Sequence, residues 1–428
     1  MEVVPFNNIS SYLNGNIGKY LADYLAELQA STVVIEENYV DRNFLIDYAK
    51  FYARSFSAPE RFTRRLHFFS KKFSELHLKN ALEGNKSLKE LSESYLGFVV
   101  IKPIKDNDID GSFLIGRTVL KTYPKTDDQD TRTFLTHPCE ASLYGIPFKI
   151  NSLPFQTQDK AVAACATTAL WVSLYPLSIL FQVPMLSPSE ITEKAVTFPG
   201  EQRNFPSLGL NLLQMVNFIN FIGLDTENIN VPSIDTTIVP DAVKAYISAK
   251  IPVIACLRLI RKDGLEDYHA VVISGYKSDI NGNVKELYIH DDQIGPYSRV
   301  RSQDSFKNWI NEWVIDYNYQ KVIVERLLVP IYPKIRVTFG RIYSVYLEYQ
   351  ERAFGQGLYC KFFLTQVNHY KRSLLDYKLE NKIDILSRPL PRFIWVIRIF
   401  SEYKPIVDVV FDGTEVFPKD LLTVGFSM

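Results

Sequence analysis

The stretch Gln158–Trp171, QDKAVAACATTALW, decides how the middle of this chain is read. Small residues lead into an apolar run that extends to Leu180, the pattern of a buried helix over about 161–180. Pro176 is expected to end or kink that helix near Tyr175. A cysteine at the first turn, Cys165, faces unpaired backbone N–H groups and the positive end of the helix dipole, and both favour a thiolate. The same N–H groups can hold an oxyanion formed at an attacked carbonyl. Gln158 lies seven positions before Cys165, enough chain to bring its side-chain amide back beside the sulfur as a second donor. Gln156 competes for that role.

Further along, a helix is expected over about 208–222 and another over 240–250, and then the period changes. The runs 251–259, 269–276 and 287–290 are short, β-branched and bounded by turns, so they read as strands. The turn DINGN at 279–283 joins the last two as a hairpin. His269 opens one of these strands and Asp291 closes the other, so the hairpin returns the carboxylate level with the imidazole. A carboxylate placed there selects the ring tautomer and stabilises the imidazolium of a nucleophile–base–orienter triad. The neighbouring Asp292 is an alternative orienting acid. A helix carrying Trp309 and Trp313 and a strand near 322–329 complete this region. Before it, helical patterns are read over 44–52 and 68–76, with the basic cluster 61–72 as a solvated helix face. Strands follow at 95–104, 113–120 and 148–150. After it, helices are expected over 341–353 and 361–376, and strands over 392–400 and 406–411.

The expectation is therefore an α+β protein in three parts: a helix-rich α+β segment over 1–145, a catalytic domain over 146–332 and a small α/β segment over 333–428. The chain has 428 residues, 46% hydrophobic and 22% charged, which fits a soluble globular protein of two or three domains. Forty-eight basic residues balance forty-eight acidic ones, so no cationic excess is available for a phosphate backbone, and nucleic acid is not expected as a partner. No apolar run reaches the ~18 residues of a membrane helix, and the opening residues do not read as a signal peptide. Four dispersed cysteines form no disulfide framework. A cytoplasmic, membrane-free location is the expectation. His137-Pro138-Cys139 has no second ligand pair nearby and no glycine-rich phosphate loop occurs, so no metal and no cofactor are expected.

The order Gln, Cys at a helix start, His-Ala at a strand start, then Asp before a glycine-containing turn resembles the papain-like cysteine peptidases. Within these it looks most like the bacterial double-glycine (bacteriocin-processing-like) branch. The matching segments are QDKAVAACATTAL, YHAVVISGY and IHDDQIG, with the lead-in DAVKAYISAKIPVIAC, all within about 150–330. The resemblance implies a papain-like central domain, Cys165 as nucleophile, His269 as base, Asp291 as orienter and Gln158 as oxyanion donor. The implied reaction is cleavage of a peptide or isopeptide bond in a protein or peptide substrate. Two features depart from the branch: Ala166 stands where glycine usually follows the cysteine, and Asp291-Asp292 replaces Asp-Pro. The same triad also serves transglutaminase- or deamidase-type acyl transfer. A rival of another class is a non-catalytic interaction module on an inactive core.

Overall fold

A computed structural model describes residues 2–84, 88–105, 111–125, 130–159, 161–197, 209–232 and 237–427. The chain opens with β1 (Glu2–Pro5), α1 (Gly15–Glu27), β2 (Thr32–Tyr39), α2 (Arg42–Lys50) and β3 (Thr63–Phe69). Then come α3 (Glu75–Leu82), α4 (Lys89–Ser94), β4 (Tyr95–Lys105), β5 (Phe113–Ile115) and β6 (Val119–Leu120). The six strands make one antiparallel sheet, β1-β2-β3-β4-β5, with β6 also on β4. This overturns the helix-rich reading of the first segment. The supposed helix around Phe68 is β3, the middle of the sheet, where Leu66, His67, Phe68 and Phe69 are all buried. A strand covered on both faces is a continuous apolar run, with no two-residue period to betray it. The helix begins only at Glu75, where the Ser74 hydroxyl accepts the His77 N–H. The basic cluster is correspondingly no solvated helix face: Arg65 is buried, ion-paired to Glu36 at 2.7 Å and stacked over Tyr39.

The middle runs β7 (Thr131–Phe134), β8 (His137–Leu143), β9 (Ile146–Ser152), α5 (Cys165–Phe181), α6 (Pro188–Ala195), α7 (Leu212–Phe221) and β10 (Asp225–Asn230). It continues with α8 (Ile238–Ser248), β11 (Val253–Arg261), β12 (Glu266–Ser278), β13 (Val284–Asp291), β14 (Gly295–Val300), β15 (Asn308–Trp309), α9 (Glu312–Ile315) and β16 (Tyr319–Ile331). An open eight-stranded sheet forms in the order β10-β16-β11-β12-β13-β14, with β15 added on β16 and β7 on β12. Gly275 lets β7 approach, since a Cβ there would stand 2.5 Å from the Thr133 carbonyl oxygen. The DINGN turn closes the β12–β13 hairpin, with the Gly282 N–H on the Asp279 carbonyl. Helix α6 starts on a reciprocal Ser187–Glu190 capping box. Helix α7 is capped by Asn211, and residue 208, where it was expected to begin, lies outside the described residues. Pro176 does not stop α5, which runs on to Phe181: every residue from Ala166 to Leu177 is buried, and that packing outweighs one lost backbone bond. The two tryptophans expected on one helix separate, Trp309 onto β15 and Trp313 onto α9.

The last segment is α10 (Phe339–Phe354), β17 (Tyr359–Gln366), α11 (Val367–Leu374), α12 (Lys382–Ser387), β18 (Phe393–Ser401), β19 (Lys404–Asp412) and β20 (Asp420–Gly425). Its sheet, β17-β18-β19-β20, is antiparallel throughout. The α/β reading of this segment is thus corrected to α+β, and the helix expected over 361–376 divides into a strand and a shorter helix. The expected fold class, a papain-like central domain with helix-rich and α/β flanks, does not stand. The architecture is mixed α+β with every strand pair antiparallel among the described residues, in open sheets rather than a barrel. One hydrophobic cluster runs from Ile9 through the central sheet to Phe411, so all three regions share a core. No described helix is long and apolar enough to cross a membrane.

Candidate active site

Helix α5 begins at Cys165 itself, with Ala164 extended at the N-cap and no side-chain cap, so the backbone N–H groups of the first turn are left for the thiol and whatever it binds. The approach to the helix is a tight turn. The Val162 and Ala163 N–H groups donate to the Asp159 carbonyl, and the Asp159 N–H donates to that of Ala163. The Asp159 side chain fixes this turn from beneath, accepting from the Tyr52 hydroxyl (2.6 Å) and the Ala161 N–H (3.3 Å) and facing Lys102 at 3.6 Å. Tyr52 and Lys102 both belong to the first segment of the chain. No local sequence pattern announced them, because their pairing with Asp159 exists only in the tertiary structure.

His269 sits near the start of β12 and Asp291 at the end of β13, adjacent strands of the sheet. The imidazole Nε2 lies 3.0 Å from Asp291 Oδ1 and 3.6 Å from Asp292 Oδ1. With Nε2 donating to Asp291, Nδ1 is the nitrogen left as acceptor, and the Cys165 thiol is in hydrogen-bonding reach of the ring. Burial opposes charging of His269. The negative charges of Asp291 and Cys165 together outweigh it and hold the imidazole well above the ordinary histidine range. Asp291 is fully buried and fully engaged. Its Oδ2 accepts the Trp313 indole N–H at 2.7 Å and its Oδ1 also accepts the Gln293 N–H at 3.0 Å. Burial would raise this carboxyl, but the His269 charge and these donors keep it below the usual carboxylate range. The Trp313 ring stands edge-on to His269, 5.4 Å between centroids. Sequence reading placed Trp313 on a helix without a role, yet it is the residue that walls the imidazole and orients its acid.

Asp292 behaves oppositely. It is 3% exposed, neither carboxylate oxygen has a hydrogen-bond partner among the described residues, and burial pushes its pKa up to about 7. It lines a cavity of about 50 Å³ together with Gln158, Gln293 and Asn16. Gln158, the expected oxyanion donor, is half-buried there and Cys165 is outside that lining; its competitor Gln156 is buried. The five expected residues therefore divide into a closely coupled group, Cys165, His269 and Asp291, and a pair, Asp292 and Gln158, on the wall of a small cavity. His269, Asp291 and Asp292 offer ligand atoms within 4.8 Å of one another and are the one His/Cys/Asp/Glu group of that kind among the described residues. The His269–Asp291 hydrogen bond already accounts for two of them.

Burial raises the Cys139 and Cys256 thiols to about 12 and Cys360 to about 11. His290 is a core residue: its Nε2–H donates to the Leu153 carbonyl at 2.9 Å, and its Nδ1 accepts the Tyr297 N–H at 3.3 Å. Scanned against protein-family models, the chain matches none, and no curated protein matches it significantly.

Proposed function

We propose that this chain is a cysteine-dependent hydrolase that opens a peptide or isopeptide bond through an acyl-enzyme, by the chemistry of the papain-like peptidases. The observation that carries the reading is His269 held between the Cys165 thiol and Asp291 at 3.0 Å, with the thiol at the uncapped start of α5. The Cys165 sulfur attacks the carbonyl carbon, and the first-turn N–H groups of α5 receive the developing oxyanion. As the C–N bond breaks, the His269 imidazolium gives its proton to the leaving amine. Water, deprotonated by the now neutral imidazole, attacks the thioester, the acid leaves and the thiol is restored. Asp291 keeps the ring in the required tautomer throughout, and Trp313 keeps Asp291 in place. Free cysteines throughout the described residues fit a reducing compartment, and we place the activity in the cytoplasm.

The test uses iodoacetamide at neutral pH followed by peptide mapping. Cys165 is expected to be alkylated while Cys139, Cys256 and Cys360 are spared, and His269→Ala is expected to slow the Cys165 reaction at least about tenfold. In a screen of peptide pools read by mass spectrometry, Cys165→Ala is expected to lower turnover by about 10³-fold or more with the fold retained. Labelling that follows exposure alone, or turnover unchanged in Cys165→Ala, sinks the reading. A one-unit mass change or a crosslink in place of cleavage redirects it to acyl transfer.

A further inference from the structure

The Nε2 side of the imidazole carries more ligand capacity than the triad uses. One ligand atom from each of His269, Asp291 and Asp292 lies within 4.8 Å of the other two, and all three residues are buried. The triad needs only the His269–Asp291 pair, at 3.0 Å. Asp292 is left over. It is 3% exposed, its Oδ1 faces Nε2 at 3.6 Å, and neither of its oxygens has a hydrogen-bond partner among the described residues. A carboxyl group buried in that way costs free energy, which a coordinated cation offsets.

The spacing suits zinc(II). Nitrogen and oxygen ligands stand about 2.0–2.2 Å from that ion, so any two around a tetrahedral centre are about 3.4 Å apart. The Nε2 distances of 3.0 Å to Asp291 Oδ1 and 3.6 Å to Asp292 Oδ1 fall on either side of that value. Asp291 is held for the purpose: the Trp313 indole N–H fixes its other oxygen at 2.7 Å and leaves Oδ1 turned toward the ring. Asp292 also lines the cavity of about 50 Å³, several times the space that one water needs as fourth ligand. An imidazole in the set selects zinc over calcium and magnesium, which take oxygen ligands.

We propose that His269 Nε2, Asp291 and Asp292 bind one zinc(II) ion on the side of the imidazole away from Cys165, and that the bound ion switches the triad off. The binding site stands on its own geometry, whereas the switch rests on the hydrolase reading. Zinc takes the place of the Nε2 proton, and of the Asp292 proton where it is present, and these protons pass to solvent. No electron is transferred. The metal-bound ring keeps a single N–H, on Nδ1, facing the sulfur. It has no lone pair left to accept the thiol proton, and that N–H is a far weaker acid than an imidazolium for the leaving amine. Both proton transfers stop until the metal is removed.

The test is zinc binding to the full-length, chelator-stripped protein, measured by competition with a chromophoric chelator, with cobalt(II) as a spectroscopic substitute. Cys165→Ser, which keeps a hydrogen-bonding group facing the ring, is expected to bind zinc as tightly as the wild type. Asp292→Asn and His269→Gln are expected to weaken binding about tenfold or more, with far-ultraviolet dichroism confirming that each variant is folded. Cobalt is expected to show its visible bands without a sulfur-to-metal charge-transfer band. Unchanged affinity in Asp292→Asn overturns the proposal, as does a charge-transfer band lost in Cys165→Ser, which would seat the metal between sulfur and ring. In the peptide-pool screen, saturating zinc is expected to lower wild-type turnover about 10²-fold or more, with recovery on adding a chelator. Turnover that persists with zinc bound overturns the switch. The two failures are separable: turnover without zinc binding removes only the metal site, whereas Asp292-dependent zinc binding in a protein with no turnover in the metal-free state removes only the hydrolase.

Discussion

Two adjacent aspartates meet the same imidazole, and their surroundings give them different states. Asp291 has donors on both oxygens and remains ionised; Asp292 has none and is pushed up to about 7. This divides their roles in a way that substitution can read. In Asp291→Asn the charge that holds His269 protonated disappears, so the imidazole, raised in the wild type, is expected to titrate at lower pH. Nuclear magnetic resonance of the histidine ring protons, with His269→Gln to assign the signal, measures it. An unmoved titration would show that Asp291 is not the orienter. Asp292→Asn is expected to act on stability instead. Its carboxyl is protonated in the folded chain and ionised in the unfolded one between about pH 4 and 7, so folding loses free energy as pH rises through that window, and the deficit is complete above it. Replacing Asp292 by Asn removes the deficit. Urea unfolding is expected to show a gain at pH 8 larger than any at pH 4.5, and an equal effect at both pH values would contradict the buried, unpartnered state.

At the scale of elements, the start of α5 is positioned by residues more than fifty positions away. Asp159 holds the turn before Cys165, and Tyr52 and Lys102 hold Asp159, with Lys102 and Asp159 both almost wholly buried. Nearby, buried Asp47 accepts the Ser189 N–H at the start of α6. Lys102→Met leaves the Asp159 charge buried with only hydroxyl and amide partners, a change expected to cost about 3–5 kcal/mol. Lys102→Met with Asp159→Asn removes both charges and is expected to recover most of it. A denaturation double-mutant cycle checks this, and additive losses would mean that the pair does not interact. Here the sequence has a definite limit. Cys165, His269 and Asp291 were legible because a helix start, a strand start and a hairpin end are local patterns, and a short hairpin fixes which residues face each other. Tyr52, Lys102 and Trp313 were not, because nothing near them in the chain marks their partners. The misread strands have a related cause: β3 and β17 carry consecutive aromatic or apolar residues (LHFF at 66–69, KFFL at 361–364), and such runs carry no period that separates helix from strand.

At the scale of the molecule, the site is assembled from parts that the chain order keeps apart. Helix α1 reaches the acid-bearing turn: the Tyr20 hydroxyl donates to the Pro296 carbonyl at 2.9 Å, and its ring lies so close to Gly295 that a Cβ there would fall 2.2 Å from it. Gly295 also adopts φ +154° and pairs with Asp291, so glycine is required both by the backbone and by the ring above it. Strand β7, from before residue 146, is hydrogen-bonded along β12, the strand of His269. On the other side, Trp395 of β18 packs against Tyr246 of α8, at 5.8 Å between ring centroids, and donates its indole N–H to the Val337 carbonyl. Cutting the chain to 146–332 would therefore strip β7, uncover the α8 face and remove α1 from the acid-bearing turn. Each loss exposes buried apolar surface, at about 25 cal/mol per Å², in a fold whose whole margin is about 5–15 kcal/mol. The fragment is expected to bind a hydrophobic dye and to melt without a cooperative transition, with Cys165 losing its selectivity toward iodoacetamide. The full chain is expected to unfold in one transition reported alike by tryptophan fluorescence and far-ultraviolet dichroism. A fragment that melts cooperatively with a reactive Cys165 would mean that the flanks gate or recruit rather than build, and that the shared core contributes nothing the triad needs.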